Sequence, residues 1–395
     1  MSGLGLLRGR IAALAAVIAA LLAGGTWFAL TRASAQPRTG KNAAALHAAR
    51  NRAASHADQA SPRPVSVLSV TPAPQARRVN GAAPIRVVFS LPPAAASPLP
   101  TLSPSIAGSW RRAGGNTLEF VPTRGYPPLT HVKLVIPAGP SGVRSAGGGL
   151  LAARVVDRFS TGTYSTLRLE QLLAQLGYLP LGWEPFPGDL PVPSADANGQ
   201  LSAAYSPPRG TFGWQPGYPL ALRNLWRPGQ YSLILSGAVL AFESDHGMTM
   251  DGTAGPAVWQ ALLNAVAKGQ NNPNGYTYAL ASKASPETLT IWHNGREVMH
   301  TLANTGIPVA PTADGTFPVY LRYRFQIMKG TNPDGSKYAD PVSFVAYFNG
   351  GDAVHYYPRA SFGWPQSLGC VELPYSQAQR AWPFLTYGSL VTVAG

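Results

Sequence analysis

The sequence predicts a multidomain chain: an N-terminal membrane segment, a β-sandwich, a small α-helical bundle and a mainly β C-terminal domain. Three observations predict it. An uncharged apolar run from Ile11 to Leu30 is flanked by Arg8, Arg10 and Arg32. Short apolar/polar alternations, separated by Pro and Gly clusters, recur from Val65 to Ile136 and again beyond residue 276. Between these regions lie two stretches with apolar residues at helical spacing. Only 12% of residues are charged, and 42 Gly with 38 Pro suit turn-rich β domains better than coiled coils.

The first element, residues 1–35, carries an apolar run long enough to cross a bilayer, for which about 20 residues suffice, whereas a signal peptide's apolar core runs to about 7–15. It reads as a retained anchor with a cytoplasmic N-terminus. Ala33-Ser34-Ala35 offers a small-x-small cleavage site, so a cleaved signal peptide is the alternative. Either way the rest of the chain is extracytoplasmic, in the cell envelope. Residues 36–64, rich in Ala, Arg, Ser and Pro without periodicity, read as a flexible tether.

Residues 65–163 contain the strands Val65–Val70, Ile85–Phe89, Thr117–Val121 and Val132–Ile136, the pattern of a sandwich. No chemistry is evident there. His131 falls in a strand pattern and reads as structural, and the domain as a spacer. Residues 164–270 open with Leu at helical spacing from Leu167 to Leu176, stopped by Gly177 and Pro180. A long Pro/Gly/Trp-rich insertion follows. A second helix then ends near Asp245, a turn forms at Asp251-Gly252, and a third helix is led by Pro256. Asp245, His246 and Asp251 lack a third metal ligand at fitting spacing, so no metal is expected.

Residues 276–395 form the last domain. Leu289–Trp292, Asn294-Gly295 and Val298-Met299 read as a hairpin on an Asn-Gly turn. Further strands are predicted at Phe317–Tyr323, Phe344–Phe348 and Ser389–Val393, with a short helix at Ser376–Leu385. Met328 to Tyr338, full of turn residues, reads as a long loop and a candidate lid. Cys370 is the only cysteine in the chain, which excludes an internal disulfide. A thiol becomes a nucleophile when a base takes its proton, and His355 lies one short loop upstream. Gly369 lets the chain turn so that its N–H and that of Cys370 face a developing oxyanion. Asp352, an odd number of residues from His355 along a strand, is expected on the opposite face.

His355 followed by Ser367-Leu368-Gly369-Cys370-Val371-Glu372-Leu373 resembles the signature of the L,D-transpeptidases of YkuD fold. Gly315–Val319 and Tyr347–His355 also read like that family. Leu368 stands where a second His is usual, and Glu372 where Arg or Asn is usual. The resemblance implies a cysteine enzyme that cross-links peptidoglycan through a thioester on Cys370, with His355 as base. It implies that Ser367 orients the loop, that a carbonyl near Tyr356 fixes the His355 tautomer, and that Tyr338 faces the substrate. No cofactor is implied. Residues 237–262 resemble the type 1 peptidoglycan-binding module, and residues 65–163 the bacterial immunoglobulin-like domains that precede some of these enzymes.

The formal net charge of +14 favours anionic partners. No nucleic-acid recognition motif is present, so anionic envelope polymers and peptidoglycan are the expected partners. Two alternatives share the same residues: a cysteine hydrolase or L,D-carboxypeptidase that uses water as acceptor, and a non-catalytic peptidoglycan-binding protein.

Overall fold

The computed structural model describes residues 62–189, 192, 193 and 195–395. The predicted membrane segment and nearly all of the tether lie outside them. Among the described residues no helix is long and apolar enough to cross a membrane.

The first strands are β1 (Val67–Thr71), β2 (Ile85–Phe89), β3 (Thr101–Ser103), β4 (Gly108–Arg112), β5 (Thr117–Pro122), β6 (His131–Ile136) and β7 (Val155–Ser160). They form two sheets, ordered β1-β2-β5-β4 and β3-β6-β7. Two-residue alternation turns Ile85, Val87 and Phe89 of β2 inward against Val132, Leu134 and Ile136 of β6. Both sheets thus close on one core, as the alternation predicts.

The helical region runs α1 (Thr166–Gln175), β8 (Leu181–Pro185), α2 (Ala197–Tyr205), β9 (Gly210–Trp214), α3 (Leu220–Arg223), α4 (Leu233–Asp245) and α5 (Pro256–Lys268). Ser232 caps α4 by accepting from the Leu235 N–H at 3.3 Å. Pro256 opens α5, and Gly269, at φ 64°, closes it in the left-handed conformation. The Asp251-Gly252 turn is clamped by Glu243, whose carboxylate accepts from both N–H groups at 3.0 and 2.8 Å.

The insertion is more ordered than its composition suggests. It forms the β8–β9 hairpin and helices α2 and α3, and it ties its neighbours together. Glu170 of α1 accepts from Trp226 Nε1 (3.2 Å) and from the Gly229 N–H (2.7 Å). Tyr205 of α2 donates to the Tyr126 carbonyl of the sandwich (2.9 Å), and Asn80 of the sandwich donates to the Ser202 carbonyl (3.0 Å). Tyr218 donates to the Tyr276 carbonyl at the entry of the C-terminal domain (2.8 Å).

That domain comprises β10 (Thr277–Ser282), β11 (Thr288–His293), β12 (Arg296–Leu302), β13 (Gly315–Pro318), β14 (Leu321–Thr331), β15 (Lys337–Asn349), β16 (Asp352–Tyr356), β17 (Val371–Leu373), α6 (Tyr375–Ala381) and β18 (Leu390–Ala394). Asn294 and Gly295, at φ 48° and 75°, make the mirror-image turn that the Asn-Gly pair favours. The sheets are ordered β12-β11-β10-β18-β13 and β14-β15-β16-β17. Their facing sides share a core that includes Ile291, Phe348, Val354, Val371 and Val391.

The first sheet's other face supplies Tyr276, Tyr278 and Leu390 to the core of the helical region, beside Leu172, Val239 and Phe242. There α4 rides directly on backbone, since a Cβ on Gly237 would stand 2.7 Å from the Gly388 carbonyl. The helices and the first sheet of the C-terminal domain are therefore packed as one body. The predicted loop at 328–338 is instead a hairpin. Strands β14 and β15 pair without a break from Phe325↔Ser343 to Thr331↔Lys337, which leaves a tip of only Asn332 to Ser336.

Candidate active site

Strands β16 and β17 run parallel, with Val354 opposite Val371 and His355 opposite Glu372. Val354 and Val371 point into the core. Alternation therefore turns His355 and Glu372 to the other face. Cys370, directly before β17, falls in line with Ala353 on that same face. It is diagonal to His355 across adjacent strands, with roughly 8 Å between Cα atoms from ordinary sheet spacings. Both line a cleft of about 430 Å³ with Tyr338, Asp340, Arg359 and Glu372.

The loop that carries the thiol is pinned. Ser367, 1% exposed, donates through Oγ to the Cys370 carbonyl (2.6 Å) and accepts from the Gly369 N–H (3.2 Å). The N–H groups of Gln366 and Ser367 both donate to the Thr305 carbonyl, at 2.9 and 3.0 Å. Thr305 is itself held by buried Glu287 through its N–H (2.6 Å) and hydroxyl (2.8 Å). Gly369 sits at φ 113°, and a Cβ there would stand 2.5 Å from Asp352 Oδ1. Glycine alone meets both demands.

His355 is 3% exposed, and its Nδ1 lies 2.9 Å from the Tyr356 carbonyl. A carbonyl only accepts, so Nδ1 carries the hydrogen and Nε2 keeps its lone pair. Burial holds the imidazole below its usual value. The Tyr356 carbonyl and Glu372 oppose that shift, and Arg359 adds to it. His355 is accordingly a neutral base at neutral pH.

The Cys370 thiol donates to the Gly351 carbonyl at 3.7 Å. Burial pushes it up to about 12; the Ala353 N–H favours the thiolate, while the carboxylates of Asp352 and Glu372 oppose it. The resting pair is thus thiol and neutral imidazole, not a preformed thiolate.

The other predicted residues are placed as follows. Tyr338 lines the cleft, its ring laid over the backbone of its cross-strand partner Gly330, where a Cβ would overlap it. The Tyr356 ring does not face the cleft. It packs edge-on against Tyr375 at 5.0 Å on the core side, so Tyr356 offers the site its carbonyl only. Leu368 stands at the cleft's exposed rim. His293 and His300 bond the Thr277 and Thr290 hydroxyls, at 3.0 and 2.8 Å, away from it. Among the described residues no group of three or more His, Cys, Asp or Glu is arranged to hold a metal ion.

Two residues enter the site that sequence reasoning did not place there. Asp352 lines the cleft, against the expectation from alternation. It is the first residue after the Gly350-Gly351 turn, where the β15–β16 register shifts, so counting back from His355 fails. Arg359 grips Glu372 in a two-pronged pair, Nε to Oε2 and Nη2 to Oε1, each 2.8 Å. Its guanidinium also lies 4.7 Å over the Tyr357 ring. An acidic residue in a strand of otherwise buried positions is the signal that a cation had to be near.

Residues 276–393 match the YkuD family, described as the L,D-transpeptidase catalytic domain. Among curated proteins none matches the chain. Similar solved structures include an L,D-transpeptidase from Mycobacterium smegmatis, 17% identical with TM-score 0.28, covering 84% of this chain and 100% of its own. L,D-transpeptidase 3 from Mycobacterium tuberculosis, with a faropenem-derived adduct, is 17% identical with TM-score 0.28, over 84% and 98%. The catalytic domain of an E. faecium L,D-transpeptidase is 25% identical with TM-score 0.28, over 30% and 95%. The family match is confined to the C-terminal region, which is similar to the L,D-transpeptidase catalytic domain.

Proposed function

We propose that this domain cross-links peptidoglycan stem peptides by two acyl transfers through Cys370. The observation that carries the reading is the pairing of β16 with β17, which sets His355 and Cys370 on one face of one cleft. His355 Nε2 takes the thiol proton as Sγ attacks the carbonyl that joins the meso-diaminopimelate residue to D-Ala in a donor stem. The oxyanion is met by the N–H groups at Gly369 and Cys370, the former released from its long bond to Ser367. The C–N bond then breaks, the His355 proton passes to the leaving amine, and a thioester remains. A neighbouring stem's amine attacks that thioester, His355 again accepting a proton, and the new amide frees the sulfur.

Because the thiol is neutral at rest, proton transfer accompanies attack rather than preceding it. Tyr338, on the hairpin above the cleft, contacts the donor stem. The reading places the protein at the cell wall, outside the cytoplasm.

The test is incubation of the purified chain with a carbapenem, followed by intact-mass measurement and peptide mapping. An adduct on Cys370 that is absent from Cys370→Ala is expected. No adduct, or an equal one on the variant, leaves only a wall-binding protein. Reaction with a disaccharide tetrapeptide should yield cross-linked dimer, and trimmed monomer alone would make it a hydrolase.

A further inference from the structure

The strongest charged feature outside the cleft lies on the sandwich. Residues 65–163 hold ten Lys or Arg against two Asp or Glu. Both carboxylates are buried, Glu119 at 2% exposure and Asp157 at 4%. Glu119 is already spanned by Arg86 and Arg111, each at 2.7 Å. The domain's surface therefore carries basic charge without exposed acid.

Part of that charge is gathered in a groove of about 770 Å³ along the outer face of the β3-β6-β7 sheet. Lys133 of β6 stands directly opposite Arg158 of β7. Like charges in that position destabilise a sheet. Neither residue forms an ion pair among the described residues. The segment after β1 builds one wall, because Gln75 donates to the Arg158 carbonyl (2.7 Å) and Ser160 to the Ala76 carbonyl (2.9 Å), and Arg77 is brought alongside. Gln75 and Arg78 hold this wall at φ 63° and 55°, a conformation that costs a non-glycine residue energy and is kept where the surroundings or a function demand it. His131 and Ser103 complete the polar lining.

We propose that this groove binds a linear, phosphate-bearing polyanion of the cell wall. Guanidinium and ammonium groups facing one another across about 5 Å of sheet match successive phosphates better than isolated ions. A groove, in place of a flat face, fits a chain-like polymer better than a bilayer. The source of the polymer rests on the wall location proposed above, while the binding itself does not involve the thiol.

The experiment titrates the full chain with soluble poly(glycerol phosphate) and follows binding by calorimetry at two salt concentrations. Binding that weakens with salt is expected. Lys133→Gln/Arg158→Gln should bind about 30-fold more weakly, from two contacts of about fivefold each. The swap Lys133→Arg/Arg158→Lys should retain binding, which separates lost charge from lost fold. Arg112→Gln/Arg124→Gln removes equal charge outside the groove and should change affinity less than about threefold.

Equal loss in both neutralised pairs would reduce the effect to net charge and overturn the proposal. So would tighter binding to phosphatidylglycerol vesicles than to the polymer, or no binding by the unmodified chain. Cys370→Ala should bind unchanged, so failure of the acyl-transfer reading and failure of the groove are read separately.

Discussion

Replacing Arg359 by Met should expose how the cleft tolerates a buried carboxylate beside its base. Glu372 is 5% exposed at its side chain and Arg359 28%, joined by two bonds of 2.8 Å. Breaking a fully buried pair by removing one partner costs about 3–5 kcal/mol, because the remaining charge is stranded. Water already reaches the Arg359 side, so about 2–3 kcal/mol is expected here. Removing the stranded charge as well, in Arg359→Met/Glu372→Gln, should recover most of the loss, a coupling of about 2 kcal/mol. Urea unfolding followed by tryptophan fluorescence measures all three variants at pH 7. A single Arg359→Met variant within about 0.5 kcal/mol of the parent, or a double variant no more stable than the single, would refute the reasoning.

Three further outcomes follow from the same geometry. The His355 imidazole lies below its usual 6.5, so its charged form is disfavoured on folding; its contribution to stability is complete above about pH 6.5 and is lost as pH falls below that value. Carbapenem acylation should therefore rise with pH through a midpoint below 6.5 and stay level to about pH 10, since the thiol loses its proton only near 12; a midpoint above 7 would contradict a neutral buried base. Gly330→Ala should displace the Tyr338 ring, whose atoms occupy the place of the added methyl, and raise KM for the donor stem about tenfold with little change in melting temperature. Gly237→Ala would force α4 off the Gly388 carbonyl and should destabilise the chain by about 1–3 kcal/mol; an unchanged unfolding midpoint would show that the two layers are not packed backbone to backbone.

The reach of sequence reasoning follows the range of the interactions involved. Local patterns were legible: alternation in β2 and β6, the Pro256 start and Gly269 stop of α5, and the Asn294-Gly295 turn each depend on residues within one element. Cys370 and His355 could be picked out as candidates because a lone thiol and an upstream imidazole carry their own chemistry, and both line the same cleft. What failed depends on distant partners. The stretch 328–338 reads as a loop from its Asn, Pro, Asp and Gly, yet those residues serve only a tight tip while flanking strands pair past the sheet. Arg359 meets Glu372 across the loop that carries Cys370, a closure no periodicity announces. Tyr356 differs again, since its contribution is a main-chain oxygen and any side chain there would supply one.

The insertion between α1 and α4 has a mechanical consequence. Through Tyr205 it grips the sandwich, and through Tyr218 it grips the strand that opens the last domain, so one segment buckles both neighbours to itself. A tethered enzyme of jointed modules would sweep its cleft through a wide volume. Braced in this way, the cleft keeps a set reach from the sandwich, and under the proposed function the stem peptides it would join are those lying at that single span.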